Sequence, residues 1–108
     1  MLSTIKDPNI VVASLQTSVL DMAPTLSKLF AQGIEDGSIQ TDYPLEYAEI
    51  FMLLFGTWIK PTLFNRDKQQ TEQRLKALRQ LMALLGIDII SEETIEKALA
   101  FYQDNELV

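Results

Sequence analysis

With 108 residues, 47% of them hydrophobic, the chain has room for one folded domain and too much apolar content for a disordered segment. Lys and Arg total 9 against 15 for Asp and Glu, and the resulting net charge of −6 repels nucleic-acid phosphates over most of the surface. Cys and His are both absent, which removes thiolate nucleophiles, imidazole bases, disulfides and the usual zinc ligands together.

No apolar run follows Met1 to Lys6, so no leader is expected. The uncharged run from Ile50 to Ile59 is about half the length that spans a bilayer. The expectation is a soluble, cytoplasmic chain forming a single helical domain over 1–108, with no membrane partner, cofactor or metal.

The punctuation is helical throughout. Asp7 and Pro8 open a first helix over about 8–20, Asp as N-cap and Pro at the first helical position. Val11, Val12, Leu15, Val19 and Leu20 repeat along it at helical spacing. Asp21 to Pro24 breaks or kinks the chain, because Pro24 has no N–H to offer Leu20. A second helix over about 22–36 carries the stripe Met22, Leu26, Leu29, Phe30 and Ile34, and Gly37 stops it. Gly33 inside it costs roughly 1 kcal/mol against Ala, which close approach by a neighbouring helix would offset.

Thr41 and Asp42 offer capping oxygens, and Pro44 opens a third helix over about 43–60 that Pro61 ends or kinks. This helix has two apolar ridges. One is Ala48, Met52, Phe55 and Ile59; the other is Tyr47, Phe51, Leu54 and Trp58. Gly56 lies beside both. A helix this apolar on every flank needs a partner or a bound ligand besides its own core. A fourth helix over about 67–85, with Asn65 and Asp67 as capping candidates, sets a dense polar face against a seam of Leu75, Leu78, Met82 and Leu85. Gly86 ends it. Ser91 caps a last helix over about 91–103 with the stripe Ile95, Ala98, Leu99 and Tyr102, and the tail beyond Gln103 should fray.

Catalytic chemistry is hard to find. Registered as a calcium loop, the segment around Gly37 would place Ile34 and Tyr43 where oxygen ligands belong, which rejects it. Glu35-Asp36 and Glu92-Glu93 are sequence neighbours that do not face each other on a helix. No base stands ready for the hydroxyls, and an enzyme is not expected. The aromatic group Tyr47, Phe51, Phe55, Trp58 and Phe64 reads first as core. Its sharper reading is a ligand pocket or a dimer seam, and Met22 and Met52 suit a pocket that adapts in shape.

The order Gln32-Gly33-Ile34-Glu35-Asp36-Gly37, then Asp42-Tyr43-Pro44, then the apolar helix from Glu46 to Trp58, resembles the regulatory half of tetracycline-repressor-like (TetR family) transcription regulators. The basic, Gln-rich helix closing in Leu84-Leu85-Gly86-Ile87 fits the same pattern. The resemblance runs from about Ile5 to Ile87 and leaves out the helix after Ser91.

It implies an all-α fold of about five helices in an antiparallel bundle, with two helices per chain pairing into a dimeric four-helix bundle. The implied function is a bacterial ligand-sensing and homodimerisation domain for a small apolar or amphipathic effector. Under that reading Leu15, Val19, Met22, Leu26, Phe30, Phe51, Phe55 and Trp58 are pocket candidates. Ala48, Met52, Gly56, Ile59, Leu75, Leu78, Met82 and Leu85 are dimer-interface candidates, with either ridge of the third helix open as the partner-facing one. The family's helix-turn-helix is not found in this sequence, so DNA would be reached only through a missing N-terminal part. The alternative is a stand-alone helical adaptor whose apolar groove accepts a helix from another protein. On the first reading, glutamate at Leu78 or Met82 weakens association.

Overall fold

The computed structural model describes residues 7–105. The segment Met1 to Lys6, where no leader was expected, and positions 106–108 of the tail lie outside them. The fold is all-α, with no strand among the described residues. Helix α1 runs Pro8–Asp36, α2 spans 44–58, α3 is Lys68–Leu84 and α4 is Glu92–Asn105.

Pro24 does not interrupt α1. The turn Ser18–Met22 widens to π geometry, and the Ala23 N–H donates to the Ser18 carbonyl five residues back. The extra residue shifts the register just where the proline ring would strike the carbonyl of an α turn. What the sequence reads as two helices is therefore one. By length and composition α1 would pass for a membrane span. It packs on α2 through a face on which Ala23, Phe30 and Gly33 are buried.

Each end of a helix has a local cause. Asp7 accepts the Asn9 N–H at 2.9 Å. Asp67 and Gln70 exchange side-chain bonds in a capping box at the start of α3. The Ser91 hydroxyl accepts the Thr94 N–H at 3.1 Å. At α2 the hydroxyl of Thr41 takes the Tyr43 N–H at 3.1 Å, and Pro44 is the first helical residue. Gly37, at φ 88°, ends α1. Gly86, at φ 87°, ends α3, where the Ile87 N–H reaches the Met82 carbonyl at 2.8 Å and the Gly86 N–H that of Ala83 at 3.0 Å. The Gly86 carbonyl then accepts the Gln40 N–H at 3.0 Å, tying the loop after α1 to the end of α3. Gly33 is covered by Ile39, from that same loop. A Cβ at position 33 would lie 2.5 Å from the Ile39 side chain. The close neighbour is thus a loop residue and not a helix.

The core joins all four helices. Ala23 and Phe30 come from α1, Ala48 and Met52 from α2, Leu75, Leu78 and Met82 from α3, and Ile95, Leu99 and Tyr102 from α4, with Ile39, Ile59, Ile87 and Ile90 from the connections. The seam on α3 is accordingly internal. Leu75 and Leu78 are each 1% exposed and Met82 not at all, and α4 is the helix laid against α3. These three residues leave no surface for a partner, which corrects their assignment to a dimer interface. Ala48 and Ile59 are likewise fully enclosed. The stripe looked partner-facing because two helices of one chain and two helices of different chains demand the same apolar spacing.

The Cα envelope measures 42 × 29 × 17 Å. Its short dimension holds no more than two layers of helices at their usual separation of about 8–10 Å. A slab this thin leaves outer flanks without neighbours. Val12, Leu20 and Leu29 on α1 and Leu84 on α3 are more than half exposed.

Two expectations follow for stability in denaturant titrations. Leu78→Ala costs about 2–5 kcal/mol by emptying a buried site, whereas Leu84→Ala on the outer flank stays within about 0.5 kcal/mol. Leu78→Glu then acts on folding itself before it can act on association. Gly37→Ala, with open space around its Cβ, costs about 1–2 kcal/mol for the left-handed backbone alone. Gly86→Ala costs more, because its Cβ would fall 2.0 Å from the Gln40 carbonyl oxygen and break the tie between the two loops.

Candidate functional site

A second π turn, Leu54–Trp58, closes α2, and there the Ile59 N–H reaches the Leu54 carbonyl at 3.0 Å. The Thr57 hydroxyl donates to the Leu53 carbonyl and fixes the departure from α register. The two π turns meet in reciprocal fashion. That of α1 packs on the first part of α2, and that of α2 packs on the first part of α1. Ser18 and Gly56 are the contact: a Cβ on Gly56 would stand 3.1 Å from the Ser18 hydroxyl oxygen. Inserted π turns recur at functional sites because they aim side chains that an α turn would stack along one row.

Beside this crossing opens an apolar cleft of about 820 Å³, within the range that accommodates drug-sized ligands. One wall is α1, which contributes Ile10, Ala13, Ser14, Thr17, Ser18 and Met22. The floor is Met52, Phe55 and Gly56 of α2, with Lys60 just past its end. The opposite wall is α4, through Ala98, Phe101 and Tyr102. A smaller cavity of about 50 Å³ shares Ile10, Ser14, Gly56 and Lys60 and extends toward Leu63.

The polar groups are few and sited by local structure. Ser18 is 6% exposed. Its side chain lines the cleft. Lys60 is half-buried, and its ammonium makes no salt bridge among the described residues. Among the described residues no carboxylate lines the cleft. Among the described residues, ion pairs form elsewhere on the surface, Glu72–Lys76 on α3, Glu93–Lys97 on α4 and Arg79–Glu92 between them.

Two of the pocket candidates from the sequence, Met22 and Phe55, reach this cleft. Phe30 does not, being sealed in the core. Leu26 and Phe51 pack half-buried against that core, with Phe51 stacked on Phe55 at 5.5 Å between centroids. Leu15 and Val19 are half-buried on α1 away from the cleft lining. Trp58 turns instead to the connection after α2. The Arg66 guanidinium lies 5.4 Å above its ring and 4.9 Å above that of Phe64, and donates to the Trp58 carbonyl. Burial, and then the neighbouring charge of Arg74, lower the pKa of Arg66 from its ordinary value.

Of the interface candidates, Met52 and Gly56 belong to the cleft, and Leu85 is half-buried against the core. The ridge Ala48, Met52 and Ile59 therefore points inward. Tyr47, Phe51, Leu54 and Trp58 form the half-exposed ridge. The α4 wall and the polar set Ser14, Ser18 and Lys60 were not anticipated. The one available signal was a small residue on each of two helices, Ser18 and Gly56, that could let their backbones approach.

No curated protein matches the chain. The family model for the tetracyclin repressor-like C-terminal domain matches residues 6–81, which takes in α1, α2 and most of α3 and stops short of α4. With that match over most of its length, and with the all-helical architecture to go with it, the chain belongs to the tetracyclin repressor-like C-terminal domain family.

Proposed function

We propose that the chain is the ligand-sensing and homodimerisation module of a TetR-like transcriptional regulator, and that the cleft between α1, α2 and α4 is its effector site. The cleft carries this reading: an apolar cavity of about 820 Å³, placed where two π turns cross and furnished with only a few polar groups. Its role is recognition of a small apolar or amphipathic molecule in the cytoplasm, without catalysis. DNA is reached through a helix-turn-helix outside this chain.

The thin slab supports pairing with a second copy. The ridge Phe51, Leu54 and Trp58, together with the exposed Ile50, is the face of α2 that the core leaves unfilled. A symmetric pair formed there would bury more than ~1,000 Å² in total. Ligand entering beside Gly56 would press on the π turn whose other flank carries Leu54 and Trp58, which is a short path from effector to dimer.

Two measurements test the two halves separately. The neutral fluorescent probe N-phenyl-1-naphthylamine should bind the chain, and Met22→Trp, filling the cleft from its half-exposed rim, should lower that affinity about tenfold or more with the melting temperature nearly unchanged. Equal binding by the variant would place the probe elsewhere. In sedimentation the chain should run as a dimer at micromolar concentration. Leu54→Glu, which puts an unpaired charge into the contact, should make it a folded monomer. A wild-type monomer that captures helical peptides would instead favour the adaptor reading.

A further inference from the structure

We infer that the ligand of this cleft is an anionic amphiphile, an apolar body carrying a carboxylate, with its head at Lys60 and Ser18 and its body running along α1 toward Met22. The inference rests on the cleft being a ligand site and adds the ligand's charge and orientation.

Among the described residues that line the cleft, Lys60 is the single side chain with a charge at neutral pH, and no acidic group accompanies it. The residue is half-buried, and its ammonium makes no salt bridge among the described residues. A cation held at an apolar rim gains from an anion there more than it would in open water, because the surroundings screen less. An amphiphilic cation would meet the same charge as repulsion, with no carboxylate to compensate. The chain as a whole is acidic, so a general attraction for anions is not at work. Any preference has to be made locally.

Ser18 is the second, independent observation. The residue is 6% exposed and lines the cleft. A serine hydroxyl is a donor, and a carboxylate oxygen is an acceptor well matched to it. Gly56, against which Ser18 lies, precedes Lys60 by four residues, so the two polar groups lie near the same end of α2. Lys60 and Ser14 also line the small adjoining cavity, which places them at its junction with the main cleft. From there to Met22 the lining turns to Met52, Phe55 and Phe101. From Ser18 to Met22 the α1 wall runs only about 6 Å at 1.5 Å per residue, so the apolar body continues from there across Met52, Phe55 and Phe101.

Calorimetry on the full chain with dodecanoate, 1-dodecanol and dodecylammonium, each below its micelle concentration, tests the assignment. Dodecanoate should bind about tenfold tighter than the alcohol, or better, and dodecylammonium more weakly than either. Lys60→Met should bring dodecanoate down to the level of the alcohol and leave the alcohol unchanged, while Lys60→Arg keeps the preference. Ser18→Ala should weaken dodecanoate without changing the melting temperature. If the alcohol binds as well as the carboxylate, the charge preference is overturned and the cleft remains a ligand site. If the preference survives Lys60→Met, the head lies elsewhere and the assigned orientation is wrong. If none of the three probes binds, the cleft reading falls along with the inference.

Discussion

At the crossing of α1 and α2, Ser18 lies against the bare Cα of Gly56, and the space for a Cβ there is nearly all taken. Both helices are widened to π geometry at this point. The widening absorbs Pro24 in one helix and accompanies the Thr57 back-bond in the other. On one side of this point the two helices stay packed together, and on the other the cleft opens between them and α4. The contact from Ala23 to Gly33 is the packed half of the α1–α2 pair. Cleft and core are thus two consequences of one crossing.

The second constraint is the knot of connections at the other end. Ile39 folds onto Gly33, Gln40 donates to the Gly86 carbonyl, and Ile87 is sealed beneath them. Here two glycines do different work. Gly33 is needed for the room its missing side chain leaves, and Gly86 for both its left-handed backbone and its closeness to Gln40. The knot fixes α3 relative to α1, and α3 in turn carries α4 through the seam of Leu75, Leu78 and Met82. The far wall of the cleft is therefore held from a distance, by a helix that lies outside the stretch matched by the family model.

Apolar surface is distributed unevenly as a result. Helix α2, the most apolar segment, keeps Leu45 and Ile50 open but is otherwise less exposed than its composition suggests, because its inner ridge is enclosed and its outer ridge half-covered. The more open apolar positions lie on α1, at Val12, Leu20 and Leu29, and at Leu84. An excess of oily flank over what the slab can enclose is real, but it is spread over several helices instead of being concentrated on one.

The sequence by itself determined the helical class and where most helices begin and end. Capping oxygens at Asp7, Asp67 and Ser91 and the left-handed glycines Gly37 and Gly86 act within a few residues of their own position, so composition and spacing reveal them. The order of the elements from Gln32 to Trp58 also carried the family. Only the tertiary structure decided which flank of a two-sided helix faces inward, whether the stripe on α3 serves this chain or another, and that Pro24 bends nothing apart. The cleft itself joins Ser18, Gly56, Lys60 and Tyr102, residues far apart along the chain. Periodicity states that a flank must be covered; it is blind to what covers it, because one helix packs on its own chain, on a second copy or on a ligand through the same 3.6-residue spacing.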